Sequence, residues 1–182
     1  MTSKENNAKR KERKHITAEI FTPNRLVCQM LAKLPKEVWK KGKTFLDPAV
    51  GNGQFLIWIL LRKIVRNNNT IDAVRSVYGV DIMKDNIKEC RLRLLKVVSL
   101  FEDVSEDHIK AVLTNIVWIN PDKYPSGSLE YNFEFKSKPT KEDISKWMKW
   151  VNEGHKLDNV DLPTNEEKFV KMGQIDMFEE SL

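Results

Sequence analysis

The chain has 182 residues, with 31 Lys and Arg against 26 Asp and Glu and a formal net charge of +5. That length fits one domain with a proper core. No apolar run reaches the ~20 residues needed to span a bilayer and no signal-like core follows the basic start, so a membrane partner is excluded and a cytoplasmic protein expected.

The charge is unevenly placed: the first fifteen residues hold six Lys or Arg against two Glu, whereas residues 156–182 hold three Lys against seven acids. A basic head suits a polyanionic partner and an acidic tail does not. Two cysteines, Cys28 and Cys90, lie in apolar helical patterns with no Cys/His spacing, which reads as buried thiols and not as metal ligands or a disulfide framework.

Residues 1–15 form a basic arm in which Lys9, Arg10, Lys11, Arg13 and Lys14 either contact phosphates, adding affinity without sequence information, or are simply a solvated terminus. Thr22 and Pro23 read as a helix start, with Thr as the cap and Pro at the first position. The helix Asn24 to Leu34 places Leu26, Val27, Met30, Leu31 and Leu34 on one stripe. A basic connection, Pro35 to Lys43, carries Trp39.

Thr44 to Phe55 is the stretch around which the rest is organised. A short strand ends in Asp47, turns through Pro48, Gly51 and Gly53, and becomes a helix from Gln54 to Val65. The glycines permit backbone conformations closed to residues with a Cβ, and the helix start offers unpaired N–H groups to a ligand. From Phe55 to Leu61 that helix is apolar nearly all round, so it is covered on more than one face. A polar loop, Asn67-Asn68-Asn69, precedes a second strand, Ser76 to Val80, with Asp81 at its tip. An acid there suits the ribose hydroxyls of a nucleotide-like ligand.

Phe21-Thr22-Pro23, Asp47-Pro48-Ala49-Val50-Gly51-Asn52-Gly53-Gln54-Phe55 and Gly79-Val80-Asp81-Ile82 resemble three ordered motifs of the S-adenosylmethionine-dependent adenine-N6 DNA methyltransferases, across about residues 13–120. The resemblance implies an α/β fold, a Rossmann-like class I methyltransferase three-layer sandwich with a mainly parallel sheet, here truncated. It also implies S-adenosylmethionine as cofactor, with no metal, because the sulfonium is already an activated donor and catalysis is chiefly positioning. Phe21, Thr22, Asp47, Ala49, Gly51 and Gly53 would surround the methionine part, with Pro23 and Phe55 in the same motifs. Asp81 would hold the ribose and Ile82 the adenine face. The implied setting is DNA methylation in the cytoplasm of a bacterium or a virus-infected bacterial cell.

From Met83 to Phe101, the residues Ile87, Cys90, Leu94, Val97, Val98 and Phe101 have helical spacing, with Lys84, Lys88, Arg91, Arg93 and Lys96 mostly elsewhere, as a solvated face or the flank of a nucleic-acid cleft. A helix capped by Ser105 runs to Leu113, and Thr114 to Asn120 is a third strand. Asn120-Pro121-Asp122-Lys123-Tyr124 then admits two readings. It resembles an imperfect copy of the family's Asn-Pro-Pro-Tyr motif, with Asn120 and Pro121 aligning the target amine and Tyr124 stacking on a flipped base. Alternatively, strand counting makes Thr114 to Asn120 the third strand and puts Asn120 where the family carries its adenine-contacting acid.

Leu129, Tyr131, Phe133 and Phe135 alternate with polar residues and make at most one more strand. Thr140 to Glu153 is a helix whose Trp147 and Trp150 pack on the body. With no catalytic strand beside the strand Thr44 to Asp47, its edge needs cover, and a second chain is one candidate. The expected organisation is thus a basic arm at 1–15, a cofactor-binding domain at 16–154 and an acidic tail at 155–182. In the tail, Gln174, Met177 and Phe178 resemble the short peptide with which bacterial DNA-processing proteins dock onto the replication sliding clamp. Beside an adenine-N6 DNA methyltransferase stand two alternatives: an inactive or split-enzyme subunit that needs a partner chain, and an RNA or protein methyltransferase.

Overall fold

The computed structural model describes residues 22–67, 69–120, 137–153, 157, 160–162, 168 and 170–171. The basic arm, Phe21, Pro121, Tyr124, the alternating stretch 129–135 and the clamp-like peptide lie outside them.

Three short strands form one parallel sheet in the order β1-β2-β3: β1 Phe45–Asp47, β2 Val77–Asp81 and β3 Ile116–Trp118. Phe45 stands opposite Val77, and Gly79 opposite Ile116. Among the described residues the sheet is accompanied by the helices α1 Asn24–Ala32, α2 Gln54–Asn67, α3 Thr70–Arg75, α4 Lys84–Ser99, α5 Glu106–Asn115 and α6 Lys141–Asn152, with a 3₁₀ turn at Lys36–Trp39. Parallel strands joined by helices give an α/β architecture in which the sheet must be buried by its crossovers.

The core is built on α2. Leu56, Ile57, Trp58, Leu60 and Leu61 are all buried, as the all-round apolar pattern of this helix requires. They pack with Leu94, Leu95, Val97 and Val98 of α4 and Ile109 and Val112 of α5. Trp39 is buried too, its ring 5.0 Å from that of Phe45, so the basic connection before β1 is anchored by an aromatic pair.

Several boundaries are set by side-chain caps. Ser105 accepts from the His108 N–H while the His108 ring accepts from the Ser105 N–H, and Thr140 and Asp143 make the same reciprocal arrangement at the start of α6. Trp147 of α6 packs against the core, as expected of it, and meets Trp150 edge-on at 5.4 Å.

Four sequence expectations are corrected. Thr22 is not the cap of α1: Pro23 takes the cap position in an extended conformation, and its carbonyl receives the Leu26 and Val27 N–H groups. The stripe of α1 is narrower than its apolar residues suggest, because Val27 and Leu31 are buried while Leu26 and Met30 stay exposed at 45% and 48%. The loop after α2 is shorter than expected: Asn69 caps the additional helix α3 by accepting the Asp72 N–H at 2.7 Å. Finally, Arg93 and Lys96 of α4 are buried and not part of a solvated face. For Arg93 the reason is a set of polar partners inside the fold, described next.

Candidate functional site

The tips of all three strands point to the same end of the sheet, where Asp47, Asp81 and Asn120 follow one another across it. Between Asp47 and α2 the chain makes a tight turn with Gly51 at φ 51° and Gly53 at φ 84°. Gly53 is needed twice over. Its φ lies in the left-handed region, and an added Cβ would stand 2.6 Å from Cys90 Sγ and 3.3 Å from the Cys90 Cα. Gly79 of β2 is needed for closeness alone, since a Cβ there would meet Val50 Cγ2 at 2.8 Å. The turn therefore packs closely on β2 and α4, with no room for a Cβ at Gly53 or at Gly79.

Hydrogen bonds fix the turn from both strands. The Val50 N–H donates to the Val80 carbonyl at 2.9 Å and the Gly51 N–H to Asp81 Oδ2 at 2.8 Å. Asp81 Oδ1 accepts the Met83 N–H at 2.7 Å, so both carboxylate oxygens are engaged by backbone donors. Asp47 Oδ1 accepts the Ala49 N–H at 3.1 Å. Burial, with the nearby Asp81 charge adding to it, raises the Asp47 carboxyl above the usual aspartate range, against the opposing pull of the Ala49 bond.

Beneath the turn lies a network that the sequence reading missed. Buried Arg93 donates to the Asn52 carbonyl at 3.0 Å, to Gln54 Oε1 at 2.9 Å and to the Asp161 carbonyl at 3.1 Å. Asn52 donates to Glu89 Oε1 at 3.0 Å, and Gln54 donates to Asn24 at the start of α1. One guanidinium thus ties the glycine turn to α4, to α1 through Gln54, and to the chain beyond α6. The sequence showed only that Arg93 lies three residues from Cys90 and next to Leu94, at the border of the apolar stripe, and carried no signal for its distant acceptors.

The predicted residues fall as follows. Asp47, Ala49, Gly51, Gly53, Asp81 and Ile82 gather at the strand tips. Ile82 is 52% exposed there, an apolar surface directly after the acid. Thr22 and Pro23 precede α1, whose first residue is joined to the turn through Gln54. Phe55 is half-buried and packs on the core. Asn120 follows β3, which among the described strands pairs with β2, so β2 separates it from β1.

A further group at this end was not anticipated: the Trp118 indole N–H donates to the Ile82 carbonyl at 2.8 Å, and Lys84 Nζ lies 4.1 Å from the Trp118 ring centroid. Among the described residues no cluster of His, Cys, Asp or Glu could hold a metal ion, and no helix is long and apolar enough to cross a membrane. Cys90 is buried beneath Gly53, and burial pushes its thiol well above the usual range, which makes it inert packing.

Comparison with family models, with curated proteins and with solved structures finds no match to this chain.

Proposed function

We propose that the chain binds S-adenosylmethionine across the strand tips and serves methyl transfer to adenine N6 in DNA. The observation that carries this reading is the glycine turn of β1 closing onto the acid of the next parallel strand, with Gly51 N–H on Asp81. In open parallel sheets, ligands lie outside the carboxyl ends of the strands, and a glycine turn with an acid on the neighbouring strand suits a nucleoside bearing a charged chain. In this reading Asp47, Ala49, Gly51 and Gly53 border the methionine part together with Phe21, Thr22, Pro23 and Phe55. Asp81 accepts from the ribose hydroxyls through its remaining lone pairs, and exposed Ile82 covers the adenine. Asn120 contacts the adenine edge or, with Pro121 and Tyr124, the substrate amine.

A second reading is favoured by the sheet order. The Phe45 N–H donates to the Ser76 carbonyl at 2.9 Å, so by alternation the Leu46 N–H and carbonyl face away from β2, and no described strand lies on that side. If a partner chain completes that edge, the catalytic strand comes from it, and this subunit holds the cofactor without acting alone.

Calorimetric titration of S-adenosylmethionine tests the cofactor site, with Asp47→Ala and Ile82→Glu as variants. Micromolar binding that each variant weakens by at least about tenfold, ~1.4 kcal/mol, is expected. Absence of heat and of thermal stabilisation with the wild type would sink the reading for this chain. Transfer of labelled methyl groups to DNA by the chain alone would eliminate the split-enzyme alternative.

A further inference from the structure

At the other end of the sheet, where β1 and β2 begin, a cavity of about 220 Å³ opens between α2, α3 and the turn at Gly42. Its lining includes Lys41, Thr44, Lys63, Asp72, Arg75 and Ser76. Lys63 is the anomaly. It is 2% exposed, yet among the described residues its ammonium makes one hydrogen bond, to the Lys43 carbonyl at 2.5 Å, and otherwise faces the Phe45 ring at 5.6 Å. An ammonium carries three donors, and a buried charge without a counter-charge is costly.

The surroundings do not supply that counter-charge. Asp72 is held by Lys41 at 2.8 Å, and Arg75 reaches away to Asp107 at 3.8 Å. The ionised side chains lining the cavity are thus Lys41 and Asp72, paired with each other, Arg75, paired with Asp107, and Lys63, which has no acid beside it among the described residues. Helix dipoles explain Arg75, which sits in the last turn of α3, but not Lys63, which precedes the last turn of α2. The hydroxyl of Ser76 is spent on the Ala73 carbonyl at 2.7 Å. The charge left without a counter-charge among the described residues at this space is that of Lys63, and the exposed Lys40 and Lys43 add positive charge along the connection before β1.

We propose that this cavity binds a phosphate-type oxyanion, free or carried on a nucleic-acid backbone, with Lys63 as its buried anchor and Arg75 and Lys41 at its mouth. The anion supplies the missing counter-charge and accepts the remaining Lys63 N–H bonds, with Thr44 able to donate as well. Burial pulls the Lys63 ammonium below the usual lysine range, and the bound anion would draw it back up. This site lies at the opposite ends of the strands from the glycine turn and stands or falls independently of the cofactor.

Inorganic phosphate titrated into the full chain at constant ionic strength, read by thermal melting and calorimetry, is the test. Saturable binding is expected, weakened at least about tenfold by Lys63→Met and by Arg75→Gln and unchanged by Lys36→Gln. Arg75 is largely exposed, so its variant keeps the test valid if Lys63→Met fails to fold. Displacement of phosphate by a single-stranded oligonucleotide would identify a backbone phosphate as the source, and its failure a small free phosphate. No saturable binding by the wild type, or binding by Lys63→Met and Arg75→Gln equal to that of the wild type, would overturn the proposal and leave a water-filled cavity.

Discussion

Substitution of Asp81 separates what this acid does for the fold from the ligand role proposed for it. In the free chain its two oxygens accept the Gly51 and Met83 N–H groups at 2.8 and 2.7 Å, one holding the glycine turn and the other the start of α4. Hydrogen bonds to an ionised group contribute about 1.5–3 kcal/mol each, and the half-exposed position of Asp81 favours the low end. Asp81→Ala should therefore cost about 3 kcal/mol, while Asp81→Asn, which keeps one acceptor oxygen, should cost about half as much. With a urea slope of about 2 kcal/mol/M, the midpoint of Asp81→Ala should fall by ~1.5 M with the slope unchanged. Asp103→Ala, at an exposed acid, is the control and should stay within about 0.5 kcal/mol of the wild type. If Asp81→Ala behaves like that control, the carboxylate does not hold the turn. A binding defect in Asp81→Ala therefore means little unless measured well below its melting temperature.

Three further outcomes follow from individual contacts. Gly53→Ala should destabilise by about 3 kcal/mol or more, since a positive φ combines with overlap against Cys90, whereas Gly42→Ala, at φ 83° but facing open space, should cost only about 1 kcal/mol; equal melting temperatures for the two would refute the contact argument. His108 is buried, accepts the Ser105 N–H on Nδ1 and has Nε2 at 2.9 Å from Thr70 Oγ1, so it is neutral with its proton on Nε2. Burial lowers its pKa in the fold despite Glu102 at 3.2 Å, so the unfolded chain binds the proton first, and stability should fall as pH drops through about 6.5. His108→Gln should remove that slope in urea titrations, and a slope that persists would assign it elsewhere. Thr140→Ala breaks the reciprocal cap of α6 and should cost about 1 kcal/mol by thermal melting, with Trp fluorescence reporting loosening at Trp147 and Trp150.

The legible part of the fold was the part governed by local rules. The apolar run of α2, the glycines of the turn and the cap at Ser105 each act within a few residues, so their sequence signals survive intact. The helix α3 was hidden because Asn67-Asn68-Asn69 looks like a loop, and only the bond from Asp72 N–H to Asn69 turns its last residue into a cap. Arg93 was misread for a different reason. Periodicity marks a charged residue beside an apolar stripe as solvated, and cannot reveal that acceptors 39, 41 and 68 positions away converge on it. The two acids at the strand tips were visible as residues, but their mutual influence depends on the parallel pairing of β1 with β2.

That pairing makes Asp47 the most informative residue at the site. Its raised pKa means that the fold binds the Asp47 proton more readily than the unfolded chain does. Ionisation therefore opposes folding, and its share of stability is lost as pH rises from the ordinary aspartate range through the raised folded value. A carboxylate kept half-buried beside a second acid is a local sacrifice of stability, of the kind expected where a ligand supplies the compensating charge. Asp47→Asn keeps an acceptor for the Ala49 N–H and removes the charge. It should be more stable than the wild type at neutral pH, with the difference shrinking as pH falls into the carboxylate range, and it should bind S-adenosylmethionine more weakly. Stability and binding moving in opposite directions would identify Asp47 as a residue retained for a cationic ligand group. If Asp47→Asn is instead less stable at neutral pH, the carboxylate serves the turn itself, and the electrostatic argument for a ligand at the strand tips falls.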